Sequence, residues 1–134
     1  MSKFLDRAKE LRARTDVHYS CSQSVLLPFA EAKGISDELA TDFCINFSGG
    51  MRVAGTCGAI TGGLMALGLY KVNDPSDVAS FIREVKSNHD GNTECKDLLK
   101  SAREQGIEKK PHCDAMVFEC VVLVEKMLRE RGLL

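Results

Sequence analysis

The chain has 134 residues, 44% of them hydrophobic and 28% charged, with 18 basic and 19 acidic side chains for a net charge of −1. That is the length of one domain, taken as residues 1–134, with enough apolar side chain for a single core. Near-neutral charge and the absence of tryptophan exclude the basic footprint and the stacking platform of a nucleic-acid binder.

Phe4, Ala8 and Leu11 recur at helical spacing and predict a first helix over about residues 3–14. Charges interrupt every apolar pair before Glu10, so no secretory leader is expected and the chain is assigned to the cytoplasm. In that reducing compartment six cysteines read as thiols, metal ligands or transient disulfides. Val25, Leu26, Phe29 and Ala30 mark a second helix, about 20–32, closed by Gly34. Pro28 within it lacks an N–H and is expected to kink it. Ser36, followed by Asp37 and Glu38, starts a third helix whose inner face is read as Leu39, Ala40, Phe43 and Phe47. It stops before Ser48-Gly49-Gly50, where the glycine pair permits a tight turn.

The fourth helix, about 57–70, is rich in glycine. No charge occurs from Val53 to Tyr70, but a helix starting at Cys57 is too short to cross ~30 Å of hydrocarbon. It is read as a buried central helix and not a membrane span. Gly58/Gly62 and Ala59/Gly63 are i, i+4 pairs of small residues that let another backbone approach closely. Asp74-Pro75 caps a fifth helix with Val78, Phe81, Ile82 and Val85 inside. Asn92-Thr93 introduces a short sixth with Leu98 and Leu99. A polar loop from Arg103 to Lys110 leads to Pro111 and a last helix faced by Cys113, Met116, Val117, Cys120, Val121, Val124 and Leu128. No segment alternates as a strand does, so the expected fold is all-α: a compact multi-helix single domain around a buried Gly/Ala-rich helix.

On this map Cys21, Cys57, Cys95 and Cys113 all fall in the first turn of a predicted helix. Free N–H groups and the positive dipole end stabilise thiolate there, lowering the pKa by roughly one unit. Thiolate is both nucleophile and metal ligand. Cys44 and Cys120, inside helices, read instead as core side chains. No Cys-x-x-Cys occurs, so any shared site must be assembled by the fold. His18, His89 and His112 lie near the cysteines as candidate bases or ligands, His89 more as a solvated helix-end residue.

The runs Ser20-Cys21-Ser22-Gln23-Ser24-Val25-Leu26-Leu27, Phe47-Ser48-Gly49-Gly50-Met51-Arg52 and Cys57-Gly58-Ala59-Ile60-Thr61-Gly62-Gly63-Leu64-Met65-Ala66-Leu67-Gly68 resemble the redox-active protein family named for its C…GCAxxG…C…C cysteine pattern. The resemblance spans about residues 15–125, and its four cysteines fall on Cys21, Cys57, Cys95 and Cys113. It implies a redox role without a substrate, and an origin among genes often found near transporter genes. Pro28 and the polar loop before Pro111 depart from the usual pattern.

Three readings follow. In the first, the chain is a thiol–disulfide oxidoreductase, with Cys57 as nucleophile because neighbouring glycines leave it open, an adjacent cysteine resolving, and a partner thiol reductant resetting the pair. In the second, the same four cysteines bind zinc or an iron–sulfur cluster. In the third, the chain is a non-catalytic, transporter-associated accessory protein whose small-residue helix forms a homodimer interface. The redox reading ranks first. No hydrolase triad can be read.

Overall fold

The computed structural model describes residues 2–134. Seven α-helices follow one another: α1 (Lys3–Ala13), α2 (Cys21–Ala32), α3 (Asp37–Cys44), α4 (Gly58–Leu69), α5 (Pro75–Asn88), α6 (Cys95–Glu104) and α7 (Lys109–Glu130). No strand occurs among the described residues, and an isolated antiparallel bridge joins Thr56 to Glu94. None of these helices is long and apolar enough to cross a membrane.

The helix ends are set by local chemistry. Ser36 Oγ accepts the Leu39 N–H at 3.2 Å, and Asp74 accepts from Ser76 at 3.0 Å with Pro75 opening α5. Gly34, at φ 77°, closes α2, while the Ile35 N–H reaches back to the Ala30 carbonyl. α2 runs unbroken through Pro28.

Two helices share the centre. Every residue of α2 from Ser22 to Ala30 is buried, and α2 packs on α1, α3, α4 and α7. α4 is buried along Gly58, Ala59, Ile60, Gly62, Gly63, Ala66 and Leu67, so the glycine-rich helix is central as expected but not alone there. Its small residues admit neighbours: a Cβ on Gly62 would lie 2.7 Å from the Ser22 carbonyl oxygen, and one on Gly63 would lie 2.6 Å from the Phe81 ring. α7 closes the core with Met116, Val117, Cys120, Val121, Val124 and Leu128, one face at helical spacing. Phe29 stacks on Phe4 at 4.6 Å and meets Tyr70 edge-on at 6.4 Å.

α3 differs from its expected packing. Ala40 and Cys44 face inward, whereas Leu39 is 51% and Phe43 68% exposed. The helix ends at Cys44 and gives way to a 3-10 turn, Ile45–Phe47. Phe43→Ser is therefore expected to change unfolding free energy by no more than about 0.5 kcal/mol, as an exposed substitution does. A thermal melt reporting a loss above about 2 kcal/mol would show Phe43 to be buried in solution. The loop before Pro111 is also shorter than expected, because α6 continues to Glu104 and α7 begins at Lys109. Pro111 then sits third in α7, where an N–H has no partner within the helix in any case.

Candidate functional site

Cys21, Cys57, Cys95 and Cys113 line one cavity of about 510 Å³. Each arrives by a separate route. Cys21 is the first residue of α2, fixed by a buried polar frame. Ser20 Oγ accepts the Gln23 N–H at 3.3 Å while Gln23 accepts the Ser20 N–H at 2.9 Å, a reciprocal cap. Ser22 Oγ donates to the Cys44 carbonyl at 2.9 Å. Gly58 then lets α4 abut that turn, since a Cβ there would lie 3.4 Å from the Cys21 Cβ and 3.0 Å from the Phe47 carbonyl oxygen.

Cys57 precedes α4 and Cys95 opens α6. Their loops are tied together: the Cys57 N–H donates to the Thr93 carbonyl at 2.9 Å, and the Cys95 N–H to the Gly55 carbonyl at 2.6 Å. Cys113 is the fifth residue of α7, not in its first turn as expected, because the helix starts two residues before Pro111.

The four thiols are not equivalent. Cys113 is lowered from 9.0 to about 7, chiefly by the neighbouring Cys21 thiol, with the Arg12 and Lys109 charges helping against burial. Cys21 is pushed far up by the same contact, since it keeps the shared proton, and by burial. Cys57 is buried, 6% exposed, and burial pushes it up to about 11 despite the Ala59 and Ile60 N–H groups. The open surroundings expected of Cys57 are thus not found: its flanking glycines admit protein, not solvent. Cys95 is raised by burial.

Arg12 braces this wall. It is 8% exposed, donates from Nε to Asp114 at 2.6 Å and from Nη1 to the Tyr19 carbonyl at 2.8 Å, and so links α1 to α7 and to the segment before Cys21. Sequence reading did not single it out. The cavity is also bordered by a left-handed turn in which Gly49, Gly50, Met51 and Arg52 take φ values of 61°, 66°, 57° and 61°. Glycine tolerates this region, but Met51 and Arg52 each cost roughly 1–2 kcal/mol. Such strain persists only where surrounding contacts enforce it, and Gly49, Gly50 and Ala54 of this segment line the cavity.

His18 and His112 also line the cavity; burial lowers the His112 pKa. His89 caps α5 and pairs with Glu119 at 2.8 Å. Cys44 and Cys120 are fully buried core residues, and Cys44 Sγ donates to the Ala40 carbonyl at 3.1 Å. All six cysteines are free thiols. Among the described residues no three His, Cys, Asp or Glu side chains are placed to hold one metal ion.

These thiols give a signed pH dependence. Cys44 and Cys57, each raised from 9.0 to about 11 by burial, stabilise the fold below pH 9 and lose that contribution as pH rises toward 11. Cys113 acts oppositely: its contribution is present above pH 9 and lost as pH falls through about 7. Under reducing conditions Tm is expected to rise between about pH 7 and 9 and to fall above 9. A melting temperature flat to pH 11 would contradict this burial of thiols.

A family model described as "Putative redox-active protein (C_GCAxxG_C_C)" matches residues 19–127. No curated protein and no solved structure matches the chain.

Proposed function

This chain belongs to the C_GCAxxG_C_C family of redox-active proteins, and from that premise we propose that it carries out thiol–disulfide exchange in the four-cysteine cavity. The observation that carries the reading is the convergence of Cys21 and Cys113 in one cavity, near enough that Cys21 holds the Cys113 thiol down and is itself pushed up. A thiolate able to attack therefore lies against a thiol able to resolve.

The Cys113 thiolate attacks one sulfur of a substrate disulfide, forming a Cys113–substrate mixed disulfide and expelling the first substrate thiolate. Cys21 then gives up its proton and attacks the Cys113 sulfur. A Cys21–Cys113 disulfide forms, and the second substrate thiolate leaves with that proton. The protein has lost two electrons and the substrate has gained them; a dithiol reductant restores both cysteines. Cys57 and Cys95 line the same cavity.

Exposing the reduced protein to one equivalent of bis(2-hydroxyethyl) disulfide, followed by N-ethylmaleimide and peptide mapping, tests this. A Cys21–Cys113 disulfide is expected, with Cys44 and Cys120 alkylated only after unfolding. Cross-links spread over all six cysteines, or a mixed disulfide that never resolves, would overturn the assignment. Protection of all four cavity thiols that disappears on chelation would assign them to a metal instead.

A further inference from the structure

We infer that the substrate of this cavity is a small disulfide carrying carboxylate groups. The inference rests on the exchange chemistry proposed above and adds the substrate class. A cavity of about 510 Å³ is the size of a small-molecule site. Its thiols lie inside a concavity built from several helices, within reach of a small disulfide more readily than of one fixed in a folded protein.

Charge decides the class. Arg12, Arg14, Lys109, Lys110, His18 and His112 line the cavity, and no Asp or Glu among the described residues does. This contrasts with the whole chain, where acids outnumber bases by one. Three of the cations are answered from outside the lining: Arg12 and Lys110 pair with Asp114, and Arg14 pairs with Asp16. Lys109 has no ion-pair partner among the described residues, and its charge acts on both Cys95 and Cys113. Ser48 also lines the cavity, and its Oγ is buried without a hydrogen-bond partner, an unsatisfied donor that a small side-chain rotation would offer to a ligand oxygen. An unpaired ammonium and an unpartnered hydroxyl on residues lining the same cavity as the thiols match a carboxylate a few bonds from a disulfide. The basic lining also concentrates anions at the mouth.

The test compares three disulfides of similar length: 3,3′-dithiodipropionate, a dianion; bis(2-hydroxyethyl) disulfide, neutral; and cystamine, a dication. Each rate of oxidation of the reduced protein is divided by the rate with free dithiothreitol, which removes intrinsic differences between the disulfides. The dianion is expected to exceed the dication by about tenfold or more at low ionic strength, and the gap should close at about 1 M salt. Lys109→Glu should lower the dianion-to-neutral ratio severalfold, and Arg14→Gln should lower it less. Taking ratios cancels any change in the Cys113 thiolate itself. Three normalised rates equal within about twofold, or a preference for cystamine, would overturn the inference while leaving the exchange chemistry standing. Failure of every probe to produce the Cys21–Cys113 disulfide would instead remove the underlying reading.

Discussion

Replacing Cys113 with serine is expected to remove the fastest-reacting thiol of the reduced protein at neutral pH. A thiol at about 7 is roughly half ionised at pH 7, against about 1% for one at the ordinary 9.0, a gain of about 50-fold in thiolate. The less basic thiolate is also the weaker nucleophile, by about 8-fold over two pH units at a Brønsted slope of 0.4–0.5. Ionisation wins, and Cys113 should alkylate about sixfold faster than an unperturbed thiol. Cys57, at about 11, loses about 100-fold in thiolate and regains about 8-fold in nucleophilicity, so it should run roughly 12-fold slower than that reference. Iodoacetamide labelling across a pH series, with site assignment by mass spectrometry, measures both. The wild-type midpoint at Cys113 should lie near 7, and Cys21→Ala should move it upward by removing the thiol that lowers it. A midpoint near 7 at Cys57, or Cys113→Ser labelling as fast as wild type, would transfer the attacking role away from Cys113.

The comparison of these two cysteines shows what sequence could and could not convey. Cys57 reads as accessible because glycines surround it, yet Gly58 and Gly62 are small so that the start of α2 can lie against α4. Absence of a side chain marks close approach without saying whether the visitor is solvent or backbone. The helix-start rule placed Cys21, Cys57 and Cys95 within a residue of their observed positions. It misplaced Cys113 because proline is tolerated throughout the first turn, not only at its first position.

Helical periodicity was sufficient for the all-α fold, since long apolar stripes such as that of α7 admit one buried face. α3 carries two such stripes, Leu39/Phe43 and Ala40/Cys44, both at i, i+4. Local pattern does not choose between them; the fit against α2 does, and it takes the smaller pair. Convergence of the four cysteines was equally out of reach locally. It depends on the bridge between Thr56 and Glu94, 38 residues apart by their numbers, and on Arg12 reaching Asp114 across 102 positions. The reciprocal Ser20/Gln23 cap, by contrast, is a Ser-x-x-Gln pattern legible in sequence. So is the glycine pair at 49–50, whereas the left-handed conformation of Met51 and Arg52 beyond it carries no residue signature.

Two glycine-to-alanine changes in α4 should have opposite signs. Gly68 has nothing within 4 Å of where a Cβ would stand, so Gly68→Ala gains helix propensity alone, worth about 0.5–1 kcal/mol. Gly62→Ala gains the same propensity, but its Cβ would meet the Ser22 carbonyl oxygen at 2.7 Å and the Ser22 Cα at 3.0 Å. Those are backbone atoms of a fully buried turn and cannot rotate aside. Overpacking of this kind costs about 1–3 kcal/mol, and against rigid backbone the upper end applies, leaving a net loss of about 2 kcal/mol. For a chain of this size that lowers Tm by roughly 6–10 °C. Relief requires α2 to move away from α4, and Cys21 lies beside Ser22 at the moving end. Gly62→Ala is therefore expected to raise the Cys113 midpoint as well, because Cys21 is drawn away from Cys113. Gly68→Ala should leave that midpoint where it is. If Gly62→Ala melts at or above the wild-type temperature and keeps the Cys113 midpoint near 7, close seating of α2 on α4 does not position the thiol pair.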